Sequence, residues 1–139
     1  MKSLRLFLLL LFVPAIVFSQ DLSVYDLTAE HKKNPVGLDV TNPRLSWKLK
    51  ADGYNIMQSA YSVRVAASPR FSSSSMVWQS GKIVSDESVL IRYSGTELKP
   101  GQRYYWQVRI WDNKGRQSKW SETAYWETGL LTQPDWKAK

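Results

Sequence analysis

Tyr104-Tyr105-Trp106-Gln107-Val108-Arg109-Ile110-Trp111 decides the fold class. Its even positions, Tyr104, Trp106, Val108 and Ile110, are all aromatic or apolar. Its odd positions, Tyr105, Gln107, Arg109 and Trp111, mix rings with polar groups. Side chains of a strand alternate between two faces, so the even set faces a core and the odd set faces outward. A slip of one residue would bury Arg109 as an unpaired charge, which costs several kcal/mol. The pattern therefore fixes the register as well as the strand.

On either side of this segment the sequence turns. Leu98-Lys99-Pro100-Gly101 precedes it, and Asp112-Asn113-Lys114-Gly115 follows. Asn113-Lys114-Gly115 reads as a hairpin connection to a final strand, Ala124–Thr128. Further out, Leu45–Leu49 alternates in the same way. So does Tyr61–Ala66, with Tyr61, Val63 and Val65 inward and Ser62 and Arg64 outward. Val89–Tyr93 reads as another strand after the acidic turn Ser85–Ser88. Met76–Gln79 is a weaker candidate, and Lys82-Ile83-Val84 reads as an edge strand. Ser68-Pro69, the Ser72–Ser75 run and Ser80-Gly81 separate them, the serine run reading as a mobile loop tip. No segment after residue 20 has a helical period. About seven short strands punctuated by turns predict an all-β chain, a two-sheet antiparallel β-sandwich.

The length of 139 residues suits one domain. Residues 1–19 carry Lys2 and Arg5, then an apolar run from Leu6 to Val13, then Pro14 and the small residues Val17 and Ser19 around Phe18. That is the layout of a cleavable secretory signal, and the run is short of the roughly 20 residues that span a bilayer. A secreted or periplasmic protein with no stable membrane span is expected, its domain covering 20–129. Cleavage removes two cations from a chain of formal net charge +7. The remaining Lys and Arg are scattered singly, apart from Lys32-Lys33, which reads as a solvated surface and not a nucleic-acid footprint. There is no Cys, so no disulfide supports the fold. Seven Trp and seven Tyr supply the burial instead, each ring worth about 150–250 Å².

The chemistry of the chain is sparse. Glycoside hydrolysis needs two carboxylates across a sugar, but Asp86 and Glu87 are adjacent and point apart when extended. Asp39, Asp52 and Asp112 sit at turns, where Asp stabilises the backbone locally. His31 is the single histidine, beside Lys32-Lys33, and reads as a surface residue. Neither a catalytic set, a metal cluster, nor a cofactor site is expected.

Leu98-Lys99-Pro100-Gly101-Gln102-Arg103-Tyr104 resembles the tyrosine corner of fibronectin type III domains, and Trp47 stands where that fold places a core Trp. A narrower resemblance runs along most of the chain. Asn34-Pro35-Val36-Gly37-Leu38-Asp39, Pro43-Arg44-Leu45-Ser46-Trp47, Gln58-Ser59-Ala60-Tyr61 and Trp78-Gln79-Ser80-Gly81-Lys82 resemble the opening of bacterial α-L-rhamnosidases. Tyr93-Ser94-Gly95, Trp111–Gly115, Ser118-Lys119-Trp120-Ser121 and Glu127–Leu131 continue the match in order. The resemblance implies a fibronectin type III/immunoglobulin-like accessory sandwich, with residues 130–139 forming a truncated junction to a following domain. In that family the catalytic carboxylates lie in an (α/α)6 barrel, so none carries over to this chain. Other domains of a parent glycoside hydrolase are the implied partners. Ser118-Lys119-Trp120-Ser121 also resembles half of the Trp-Ser-x-Trp-Ser element of cytokine-receptor fibronectin domains, which implies that Arg109 stacks on Trp120.

Two functions are therefore expected. One is structural, carried by Trp47, Tyr61, Tyr104, Trp106, Arg109 and Trp120, within an accessory domain that is not itself an enzyme. The other is an independent module that binds a plant polysaccharide or a protein through the outward rings of Tyr105, Trp111 and Tyr125.

Overall fold

A computed structural model describes residues 21–131. The expected signal segment 1–19 and residues 132–139 of the expected junction lie outside the described residues. Eight strands follow in order: β1 (Leu22–Ala29), β2 (Arg44–Ala51), β3 (Gln58–Ala66), β4 (Met76–Gln79), β5 (Ile83–Val84), β6 (Ile91–Arg92), β7 (Arg103–Asp112) and β8 (Ala124–Glu127). One sheet has the order β1-β2-β6, and the other has the order β4-β3-β7-β8 with β5 also on β3. Every strand pairing is antiparallel. The fourth strand lies beside β3 and not beside β6, which departs from the four-plus-three division of constant-type immunoglobulin domains.

Both long strands keep the register that their alternation dictates. Tyr61, Val63 and Val65 of β3 face the core, opposite Ile110, Val108 and Trp106 of β7. Trp126 of β8 is fully buried among rings. Tyr104 stacks on it at 5.8 Å, while Tyr93 and Trp106 approach at 5.9 and 6.5 Å. Trp47, from the opposite sheet, meets Tyr61 edge-on at 5.2 Å and donates its indole N–H to Gln58 Oε1. Edge-to-face and offset contacts of this kind add to area burial. The indole N–H groups of Trp106 and Trp126 are buried without an acceptor among the described residues.

The turn before β7 has the expected corner geometry. Gly101 adopts φ 63°, a left-handed conformation that glycine takes without a Cβ clash. The Tyr104 hydroxyl accepts the Lys99 backbone N–H at 2.8 Å, and Thr128 Oγ1 donates to the Lys99 carbonyl at 2.6 Å. The corner is thereby tied to the end of β8. Gly95 serves a close approach: a Cβ there would collide with the Tyr93 hydroxyl and with Trp78.

Several expectations need correction. β1 was not anticipated, because its alternation breaks at a bulge between Tyr25 and Thr28, where Asp26 has φ 53°. The strand expected over Val89–Tyr93 is reduced to Ile91–Arg92, since Leu90 takes φ 57°, outside the extended range. The turn at Asp112–Gly115 exists and closes a Trp111–Gln117 bridge, but the β7–β8 ladder begins only at Ala124. The Ser72–Ser75 run is a loop, as expected, and within it Ser75 donates both its N–H and its hydroxyl to the Ser72 carbonyl at 3.0 Å.

Candidate functional site

The segment between that turn and β8 shapes the outer face of the larger sheet. Ser118 N–H donates to the Ile110 carbonyl, and Ser118 Oγ accepts the Ile110 N–H. Ser121 does the same with Val108. Three residues of this segment therefore run past two of β7. The serine hydroxyls take the ladder positions that a strand backbone would fill, and Trp120 is carried over the outer face of β7. Each hydroxyl also donates to the next residue's carbonyl, so none is left unsatisfied.

Trp120 completes a row in which rings and cations alternate. The Arg109 guanidinium lies 4.4 Å from its ring centre, and Arg64 lies 4.2 Å from it. Arg64 also covers Phe71 at 4.5 Å. Arg109 reaches Trp111 at 5.5 Å, and Lys82 covers Trp111 at 4.7 Å. These separations are within the range of cation–π attraction. Burial, followed by the charge of Arg109, lowers the pKa of Arg64 below the ordinary guanidinium value. Ser62 is on this outer face yet buried, under the row that crosses it. A scattering of solvated cations was expected; Arg64 and Arg109 are instead half-buried between rings. Arg109 and Trp120 are brought together as the motif implied, but the part of Arg64 was missed. The signal was present, since parity places Arg64 and Arg109 on the outward faces of two long strands.

The other outward rings are occupied too. Tyr105 pairs across the strands with Tyr125 at 6.4 Å, and Arg103 lies over Tyr125 at 4.1 Å. Tyr105, Trp111 and Tyr125 are all half-buried. Among the expected structural residues, Trp47, Tyr61, Tyr104 and Trp106 are buried in the core cluster, while Arg109 and Trp120 lie on the outer face.

Four carboxylates, Asp26, Glu30, Asp112 and Glu127, are engaged in the fold. Asp112 is buried and accepts the N–H groups of Lys114 and Arg116 and the Arg116 guanidinium at 2.7 Å. Burial raises its pKa, but those hydrogen bonds outweigh burial and hold it below the usual carboxylate value. Glu30 takes a forked contact from Arg44, whose hydrogen bonds lower its pKa against burial. Asp26 accepts Lys48 at 2.7 Å and Lys33 at 2.9 Å, in that order of effect, and is held down to about 2. An open groove of about 1100 Å³ separates β1 from residues 116–124, with Trp120 on one wall. His31 is exposed, and among the described residues no cluster of His, Asp and Glu could hold a metal ion.

Residues 24–132 match the family described as "Rha78A-like, N-terminal immunoglobulin domain". This chain belongs to that family. Its members' sandwich is the one built here: the matched span runs from within β1 to just beyond β8. Similar proteins agree. An alpha-L-rhamnosidase of Streptomyces avermitilis is 48% identical over 118 residues, covering 85% of this chain and 12% of that protein. One from Formosa agariphila is 40% identical over 107 residues, covering 76% of this chain and 11% of its own length. The crystal structure of the Streptomyces enzyme complexed with L-rhamnose superposes with a TM-score of 0.80, again over 85% of this chain and 12% of that one. The structure of the alpha-L-rhamnosidase from Dictyoglumus thermophilum gives 0.79 at 43% identity, covering 84% and 13%. The chain thus spans about an eighth of the length of the relatives it matches, and corresponds to a non-catalytic accessory domain at their N-terminal end.

Proposed function

We propose that this domain braces a secreted α-L-rhamnosidase-like glycoside hydrolase, contributing inter-domain structure and no catalytic group. Secretion is read from residues 1–19, whose charged start, apolar run and small cleavage-site residues fit a signal peptide. One observation supports the bracing role most. The end of β8 is tied down on both sides: Thr128 bonds the tyrosine corner, while the Leu38 N–H donates to the Glu127 carbonyl and the Leu38 carbonyl accepts the Gly129 N–H. Leu131, the last described residue, packs against the core, so the described end of the sandwich is anchored by both hydrogen bonds and packing. Such an end sets the direction of whatever follows. The row over Trp120 supports the same role by pinning the segment that leads into β8.

The purified chain is expected to release no aryl group from an aryl α-L-rhamnoside above a denatured control. Sustained release would mean that this domain carries a carboxylate pair of its own, against the engagement of Asp26, Glu30, Asp112 and Glu127 in ion pairs.

A further inference from the structure

Two guanidiniums on the outer face of the larger sheet are held in place and left without a carboxylate. In the β3–β7 ladder Arg64 is opposite Gln107 and Ser62 is opposite Arg109, so the two arginines are diagonal neighbours. Trp120 contacts both, at 4.2 and 4.4 Å. Arg64 donates through Nε and Nη2 to the neutral Gln107 Oε1, and Arg109 Nε is buried without an acceptor among the described residues, so the terminal nitrogens are the groups each guanidinium has left to offer a ligand. Among those residues the ion pairs lie elsewhere, on Asp26, Glu30, Asp112 and Glu127. The last of these is on the same face but is taken by Arg103 at 3.1 Å. Lys82, over Trp111, adds a third cation in line with the pair. Like charges this close repel, and no carboxylate among the described residues pairs with them.

The geometry suits an anion. A guanidinium presents a planar fork that matches a carboxylate with two parallel hydrogen bonds. Packing between rings has already restricted both arginine side chains, so little freedom is lost on binding. The three cations lie in a row along the outer side of the larger sheet, beside the open groove that Trp120 also lines. A row of this kind fits an extended polymer with repeated carboxylates better than a small anion.

We propose that this row is a binding site for a linear polyuronate, a polysaccharide bearing a carboxylate on its sugar units, with Arg64 and Arg109 each engaging a carboxylate and Lys82 extending the strip. The choice of a polysaccharide over an acidic protein rests on the proposed place of the domain in a glycoside hydrolase. Recognition runs through charge and not through ring–sugar stacking, because cations already cover Trp111, Trp120 and Tyr125.

Affinity electrophoresis of the purified chain tests this. Polygalacturonate in the gel should retard it, less so as salt is raised, and more strongly than poly-L-glutamate, whose flexible backbone loses more freedom on lining up its carboxylates, while fully methyl-esterified polygalacturonate should not. Arg64→Lys and Arg109→Lys keep the charge but lose the fork, and each should weaken binding by about tenfold, the scale of one charge-assisted hydrogen bond. Lys50→Gln, which removes a cation from the opposite sheet, should leave binding unchanged. A readout free of variants is the unfolding midpoint of the wild-type chain, which polygalacturonate should raise and its methyl ester should not. Equal retardation by the ester or by poly-L-glutamate, or full binding by Arg109→Lys, would overturn the site. A chain that ignores polygalacturonate altogether would also overturn it, while leaving the bracing role standing, since that role is measured on a full-length enzyme.

Discussion

Tyr104 and Tyr105 are adjacent and differ in almost everything else. The first is buried with its hydroxyl accepting the Lys99 N–H, and the second lies half-exposed against Tyr125. Tyr104→Phe leaves the part-buried Lys99 N–H without its partner, and denaturant unfolding should show a loss of about 1–3 kcal/mol. Tyr105→Phe should stay within about 0.5 kcal/mol. Equal losses would contradict the parity of β7. On the outer face, Arg109 and Trp120 should couple in a double-mutant cycle with alanine by about 0.5–1 kcal/mol. A coupling indistinguishable from zero would leave the 4.4 Å contact with no energetic meaning.

At the scale of elements, residues 118–121 use side chains where a strand would use backbone. Ser118→Ala and Ser121→Ala each orphan a buried N–H of β7, so each should cost about 1–3 kcal/mol in denaturant melts. Ser74→Ala, on an exposed loop, serves as the control. How far each element was legible follows from the same physics. β7 and β2 could be read because one face is more deeply buried than the other, and β3 because large apolar side chains alternate with small or polar ones, each of which imprints a period of two. β1 could not, because the bulge at Asp26 shifts the parity midway, leaving Tyr25 exposed and Leu27 half-buried. The length of β6 was overestimated because Val89 and Leu90 are apolar yet exposed, and only the backbone at Leu90 reveals where pairing begins. The stack of Arg109 on Trp120 was legible from the Ser-Lys-Trp-Ser motif. The second stack needed the β3–β7 register, which sets Arg64 opposite Gln107.

Across the whole molecule, the carboxylates set the response to acid. Asp26, Glu30 and Asp112 all have pKa values lowered in the folded state. Protons therefore bind the unfolded chain more readily, so the stabilisation is complete above the ordinary carboxylate range and is lost as pH falls through it. Thermal unfolding should change little from about pH 8 to 5, then drop below about pH 4. Asp112→Asn should be less stable at pH 7 and show a smaller acid-induced drop than the wild type; a variant with the full drop would exclude Asp112 as a contributor. Beyond its own stability, the domain matches about an eighth of the length of its rhamnosidase relatives, and the bracing role proposed for it is testable in one of them. The direct measurement removes the matching segment from the Streptomyces avermitilis alpha-L-rhamnosidase and then replaces it with residues 21–131 of this chain. The deletion should lower the unfolding temperature while leaving kcat of the folded enzyme intact, and the graft should restore the lost stability. A deletion that abolishes kcat at unchanged unfolding temperature would contradict the bracing role and place chemistry in this domain.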